Sequence, residues 1–499
     1  MRLRIATILA ALLLATASAG AAPEVMVEGG PLQGVAAHDV TAFKGIPYAA
    51  PPVGDLRWRP PAPPAGWDGV RKAESFGPDC MQNPLPGSKS PVTPSEDCLY
   101  LNVWTPETAG APKPVLVWIP GGGFVTDSAA NPVMDGAGLA RRGVVVVTFN
   151  YRLGRFGFFA HPDLTRESGE GPTGNWGFMD QIAALHWVRR NIAAFGGDPA
   201  NVTLIGESAG GESVSRLMTA PPARGLFHKA AVISGGGRDR WPTLAEAEAK
   251  GLAFARDAGV KGGLADLRAL PADRVRGGIT LLDKEEKTWS GPITDGRILQ
   301  GDLVPRFAAG AQAPVPLIIG ANDDEFSFVP SIFRMFLNGP HEKAVEPNKA
   351  AVRAAYGSDS AMRRAIASDV VFVEPSVALA RRHAATGAPT WLYRFGYVAE
   401  AKREEGSGAG HATDMQFHFG TLDQADFKPT AADQAMASLM GDLWTRFART
   451  GDPNGGGLPS WPRYDAASPR MLSIGTETRS VSAAEPVIDA IAAARDATP

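Results

Sequence analysis

The chain has 499 residues, a net charge of −3, 44% hydrophobic and 20% charged residues. This composition is that of a globular protein and argues against disorder, and the near-neutral charge gives no reason to expect nucleic acid or an anionic membrane as a partner. The length exceeds that of most single domains, yet large α/β enzymes keep one sheet at this size.

The chain begins like a processing segment. Arg2 and Arg4 supply a positive start, Ile5 to Ala17 form an apolar run, and Ala17-Ser18-Ala19 offers a small-residue cleavage site, with Ala21 as a nearby alternative. The run of about 13 residues is too short to span a bilayer, and no later run is long and apolar enough for stable membrane insertion. Residues 1–22 are therefore expected to be a signal peptide and 23–499 a single exported domain, periplasmic or secreted.

Gly45 to Trp58 holds three prolines within six residues, which excludes a regular helix and predicts an extended surface segment. Cys80 and Cys98 are the only cysteines; in an oxidising compartment they are expected to form a disulfide. Leu99 to Trp104, Val115 to Ile119 and Val144 to Thr148 read as strands, the second with both faces buried. Pro120-Gly121-Gly122-Gly123-Phe124 follows the second.

From Phe178 to Phe195 the apolar residues Phe178, Ile182, Leu185, Val188, Ile192 and Phe195 recur at helical spacing, and Gly196-Gly197 ends the helix. A strand over Val202 to Ile205 then runs into Gly206-Glu207-Ser208-Ala209-Gly210-Gly211. Glycines two residues before and after Ser208 permit the tight strand-to-helix turn that lifts a nucleophilic hydroxyl above a sheet edge. Further strands are expected at Ala230 to Ile233, Pro316 to Ile319 and Trp391 to Phe395. Strands alternating with helices imply an α/β fold, a central, mostly parallel sheet with helices on both faces.

A serine nucleophile needs a base. Of eight histidines, His411 lies in the small-residue loop Gly408-Ala409-Gly410-His411-Ala412-Thr413-Asp414, late in the chain, and His418 is the alternative. The base needs an acid, and Asp323-Asp324-Glu325, following a strand between serine and histidine, offers three. By the logic of the elbow, the N–H of Ala209 is one donor to the oxyanion of an acyl-transfer intermediate. Asn201-Val202-Thr203 is a formal glycosylation sequon, but it leads directly into a buried strand and is read as structural.

Phe43-Lys44-Gly45-Ile46-Pro47-Tyr48-Ala49, Glu96-Asp97-Cys98-Leu99-Tyr100-Leu101-Asn102-Val103, Asn150-Tyr151-Arg152-Leu153-Gly154, Phe195-Gly196-Gly197-Asp198-Pro199, the elbow, Thr450-Gly451-Asp452-Pro453-Asn454 and Trp461-Pro462-Arg463-Tyr464 occur in this order. In these the chain resembles the type-B carboxylesterase and cholinesterase family of α/β-hydrolases. The resemblance implies an α/β-hydrolase fold and hydrolysis of small-molecule carboxylic esters through an acyl-enzyme. It implies a triad of Ser208, His411 and Glu325, with oxyanion donors at Gly122 and Gly123 beside Ala209. Glu207 and Ser234 match positions that support the triad by hydrogen bonding. Many relatives have His or Tyr where this chain has Pro120, a residue without an N–H but outside the inferred donor set.

No metal or organic cofactor is expected, since the chain lacks H-E-x-x-H and phosphate-cradling G-K-[ST] motifs. Cholinesterases bind a quaternary ammonium on a tryptophan in the first disulfide loop; Met81 to Asp97 hold no aromatic residue, which disfavours choline esters. Phe326, Phe328, Ile332, Phe333, Met335, Phe336 and Leu337 would line an apolar pocket or form a core helix face. A more specialised substrate, such as a feruloyl, toxin or pesticide ester, is an alternative. So is a non-catalytic adhesion protein, against which all three triad positions speak.

Overall fold

The computed structural model describes residues 22–497 apart from 86–87, 107–109, 172, 239, 328, 330 and 406–407, so the expected leader lies outside it except for Ala22. Among the described residues the β-branched runs pair into one eleven-stranded sheet. In chain order its strands are β1 (Val35–Ala37), β2 (Val40–Pro47), β3 (Tyr100–Pro106), β4 (Lys113–Ile119), β5 (Val145–Phe149), β6 (Gly197–Glu207), β7 (Lys229–Ile233), β8 (Leu317–Asn322), β9 (Thr390–Phe395), β10 (Arg470–Ile474) and β11 (Arg479–Ser482). Their spatial order is β11-β10-β9-β8-β7-β6-β4-β5-β3-β2-β1. From β5 across to β10 every pairing is parallel. Antiparallel strands flank this block, β3, β2 and β1 at one edge and β11 at the other.

The period of two along each strand divides the core. Val115, Val117 and Ile119 of β4 and Val202 and Leu204 of β6 pack with helices α1 (Trp176–Asn191), α2 (Ala209–Thr219) and α3 (Glu374–Ala384). Leu116, Trp118 and Ile205 pack on the opposite face with α4 (Met415–Phe419) and α5 (Ala431–Thr450). Strands covered on both faces have no need for polar alternation, which is why they read as continuous apolar runs. Burying each large apolar side chain stabilises by roughly 1.5–3 kcal/mol. Among the described residues no helix is long and apolar enough to cross a membrane.

Several expected boundaries shift. The helix starts at Trp176, leaves α-geometry after Asn191 and tightens into a 3₁₀ turn through Phe195, where Gly196 at φ 75° stops it. Strand β6 starts at Gly197 because that residue pairs with Lys113 before the register shifts at Val202. Gly45 to Trp58 is only partly a surface segment: Tyr48, Ala49, Arg57 and Trp58 are buried, and the Trp58 indole N–H donates to Arg155 O at 2.7 Å. Cys80 and Cys98 are disulfide-bonded. Asn201 Oδ1 accepts from Lys229 Nζ, a structural use of the sequon.

Candidate active site

The carboxyl ends of β4, β6, β7 and β8 converge at one rim, where open α/β sheets bind ligands. Ser208 follows β6 and caps α2 with φ 55°, a left-handed value that a serine adopts only under constraint. The constraint is visible: Ser208 N donates to Ile233 O at 2.9 Å, and Glu212 N donates to Ser208 O at 2.8 Å. The flanking glycines are required by space. A Cβ at Gly206 would lie 2.5 Å from Gly210 C, and one at Gly210 would lie 2.0 Å from Ile119 O. A side chain at Gly206 would pry the turn open, and one at Gly210 would push the elbow off β4.

His411 and Glu325 reach this turn from two other loops. Ser208 Oγ stands 2.8 Å from His411 Nε2, and His411 Nδ1 stands 2.7 Å from Glu325 Oε2. A carboxylate only accepts, so the Nδ1 proton points at Glu325 and leaves Nε2 to accept from the serine hydroxyl. Glu325 has no exposed surface; its Oε1 accepts from Asn322 N at 2.8 Å, and its carbonyl accepts from His411 N at 3.0 Å. Of the other acidic candidates, Asp323 turns elsewhere, its Oδ1 accepting from Ala409 N at 2.7 Å, and the Asp324 backbone N–H donates to Ala409 O at 3.1 Å.

His418 is not brought to the serine. It is buried behind the histidine loop, where its Nε2 meets Asp414 Oδ2 at 2.7 Å and its Nδ1 accepts from Trp444 Nε1–H at 2.7 Å. The indole can only donate, so the His418 proton sits on Nε2. Asn322 Nδ2 bridges Gly410 O at 2.7 Å and Asp414 Oδ1 at 3.2 Å, joining the acid loop to the base loop. Burial raises the Asp414 carboxyl, but His418 and Asn322 outweigh it and hold the group below its ordinary range.

Glu207 is buried beside the nucleophile, its Oε1 3.3 Å from His411 Nε2. That is a charge contact rather than a hydrogen bond, because Nε2 already faces the serine. Burial pushes the Glu207 carboxyl up to about 8, with the charges of Asp414, Glu325 and Asp127 adding to the rise and His411 opposing it. Burial would lower His411, but Glu207, Glu325 and Asp414 outweigh it and push the imidazole up to about 9. Ser234 is fully buried just after β7, and its hydroxyl has no protein partner among the described residues.

The glycine loop after β4 lies against this cluster. A Cβ at Gly121 would come within 2.8 Å of Glu207 Oε2 and 3.2 Å of Ser208 Cβ. Gly122 and Gly123 sit at φ 83° and 60°. Among the described residues, none of the N–H groups of Gly122, Gly123 and Ala209 donates to a protein acceptor. The first two of these groups belong to the glycine loop and the third directly follows Ser208. Pro120 serves through its carbonyl, which accepts from Tyr151 Oη at 3.1 Å.

Phe372 went unmarked in the sequence. Its ring stacks on His411 at 4.7 Å between centroids and 29° between planes. It projects from a π-helical turn, Asp369–Val373, a geometry that no periodicity signals and that recurs at functional sites. Of the apolar run after the acid, Phe326 packs between Phe372 and His341. Phe328 and the side chains of Ile332, Phe333, Met335, Phe336 and Leu337 lie outside the described residues.

Residues 21–364 and 348–488 match the family model described as the carboxylesterase family. A fumonisin B1 esterase of Sphingopyxis macrogoltabida is 37% identical over 489 residues, covering 91% of this chain and 86% of that protein. A para-nitrobenzyl esterase of Bacillus subtilis is 35% identical over 473 residues, covering 91% and 95%. Among solved structures, a PNB esterase superposes with a TM-score of 0.84 at 33% identity, over 94% of this chain and 99% of that one. A carboxylesterase of Geobacillus stearothermophilus superposes with a TM-score of 0.81 at 35% identity, over 94% and 99%.

Proposed function

The chain belongs to the carboxylesterase family, has the α/β-hydrolase fold and is a carboxylic ester hydrolase, and from that premise we propose that it works through an acyl-enzyme on a Ser208-His411-Glu325 triad. The observation that carries this reading is the pair of contacts on one imidazole, 2.8 Å to Ser208 Oγ and 2.7 Å to Glu325 Oε2.

In this mechanism His411 Nε2 takes the Ser208 proton as Oγ attacks the ester carbonyl. Glu325 holds the ring in the required tautomer and stabilises the imidazolium, while the N–H groups of Gly122, Gly123 and Ala209 receive the oxyanion. The imidazolium then protonates the departing alcohol. Water, deprotonated by the same nitrogen, hydrolyses the acyl-serine. The substrate is a small-molecule carboxylic ester, and the aromatic-free disulfide loop speaks against choline esters. A specialised substrate is the second reading, supported by the 37% identity to a fumonisin B1 esterase. Residues 1–22 are proposed as an export signal and 23–499 as one catalytic domain, for which the Cys80–Cys98 disulfide suits an oxidising compartment.

Ser208→Ala tests the mechanism on a panel of p-nitrophenyl esters of increasing acyl length, with aryl and cholinyl esters and fumonisin B1 beside them. Turnover is expected to fall by about 10⁶, as for other triad nucleophiles. Hydrolysis within tenfold of wild type would reject Ser208 as the nucleophile.

A further inference from the structure

The oxyanion loop is clasped from the side by one buried glutamine. Gly122 O accepts from Val125 N at 3.0 Å and Thr126 N at 3.1 Å, and a Cβ on Gly122 would lie 2.1 Å from Thr126 O. Gly122 thus rests directly on the backbone of Thr126. Gln82, two residues beyond Cys80, holds that backbone. Its Oε1 accepts from Thr126 Oγ1 at 2.7 Å and from Asp127 N at 2.9 Å. Its Nε2 donates to Asp127 O at 2.9 Å and to Cys80 O at 3.1 Å.

These four bonds use both acceptor and both donor positions of an amide, and Gln82 is only 4% exposed. The orientation is unambiguous, since a flipped amide would set its oxygen against two carbonyls. Asp127 sits at φ 84°, a left-handed value that persists in a non-glycine residue only where the surroundings impose it. The two bonds from Gln82 to the Asp127 backbone do so.

We infer that Gln82 is a positioning residue for acyl transfer: tied to the Cys80 carbonyl, it fixes Thr126 and Asp127 so that the N–H groups of Gly122 and Gly123 stay aimed at the developing oxyanion. The inference rests on the reading of those amides as oxyanion donors. Charge reaches the carbonyl oxygen only as the tetrahedral state forms, so displaced donors lower kcat and leave ground-state binding nearly unchanged. A scaffold residue without this role would change the amount of folded protein instead.

Gln82→Leu keeps the bulk and removes all four bonds. It is compared with wild type and Ser208→Ala on p-nitrophenyl butyrate, with rates expressed per folded molecule from the thermal transition. The expected result is a kcat lower by about 10- to 100-fold, the size of a lost or misplaced oxyanion donor. KM should stay within about threefold, as ground-state binding does not use the oxyanion contacts. Affinity for a trifluoromethyl ketone, which gives an oxyanion hemiketal on Ser208, should fall by the same factor as kcat. A lower melting temperature with kcat and ketone affinity unchanged per folded molecule overturns the inference. Should Gln82→Leu not accumulate folded, Thr126→Val removes one of the four bonds; a kcat lower by about three- to tenfold supports the inference and an unchanged kcat refutes it. Wild-type turnover in Ser208→Ala would instead bring down the reading of the site. Inactive Ser208→Ala beside fully active Gln82→Leu and Thr126→Val would bring down this inference alone.

Discussion

Glu207→Gln should move the pH at which the enzyme switches on. In the proposed mechanism His411 accepts the serine proton only when neutral, so kcat/KM should rise with pH through the imidazole pKa. Burial lowers that pKa, and Glu207, Glu325 and Asp414 together outweigh it and lift it from 6.5 to about 9. The acid limb of wild type should therefore lie above 6.5. Glu207 is the largest of the raising influences, 3.3 Å from Nε2. With an effective dielectric constant of 20, a charge at that distance is worth at most about 5 kcal/mol, or between three and four pKa units. Glu207 itself takes up a proton near 8, so only part of this ceiling is expressed. Glutamine keeps the shape and removes the charge, so the imidazolium loses a stabilising neighbour and the limb moves down by about one to two units. The plateau should also fall by up to about tenfold, because the imidazolium formed in the transition state loses the same support. The assay is kcat/KM for an uncharged p-nitrophenyl ester from pH 5 to 10, read at the isosbestic wavelength of the product. Superimposable limbs for wild type and Glu207→Gln would refute the claim that Glu207 sets the protonation of His411.

Trp444→Phe leaves His418 Nδ1 without its donor in a buried cluster. It should lower stability by at least about 1–3 kcal/mol in urea unfolding, and an unchanged midpoint would dismiss the cluster as a support. A Cβ on Gly123 would come within 2.3 Å of Leu281 Cδ2, so Leu281 lies directly over the glycine loop proposed to receive the oxyanion. Leu281→Ala should favour longer or bulkier esters by about tenfold in the ratio of kcat/KM values; a constant ratio across acyl lengths would exclude Leu281 from the pocket. Cys98→Ser opens the disulfide loop of sequence separation 18 and should cost about 3 kcal/mol in stability, measured against wild type without reductant.

How much of this fold and site is legible in the sequence depends on whether the physics is local. Strands buried on both faces were visible as apolar runs, but their ends were not. The first residues of β6, Gly197 to Asn201, carry no apolar pattern, and Gly197 is placed by pairing with Lys113. Periodicity ran unbroken from Phe178 to Phe195 because a 3₁₀ turn keeps Ile192 and Phe195 on the buried side, so the end of the α-helix at Asn191 left no mark. Ser208 stood out because its turn demands glycines at fixed offsets. Glu325 does not stand out from Asp323 and Asp324 on its own, because all three are carboxylates in one loop; what separates Glu325 from Asp323 is the partner each meets across space, His411 for the one and the Ala409 N–H for the other. Phe372 and Gln82 are ordinary residues in ordinary segments. The first gains its place from a π-turn and the second from a neighbour 44 positions away, neither of which is encoded in any local spacing.

The central claim is that Ser208 carries the acyl group, and a rapid quench during turnover of a slowly deacylating p-nitrophenyl ester, followed by peptide mass mapping, tests it most directly. The mechanism requires one acyl adduct on the peptide containing Ser208, formed within the burst of p-nitrophenol and absent from Ser208→Ala. Full turnover with no adduct on Ser208, or an adduct on another residue at the same rate, would contradict it.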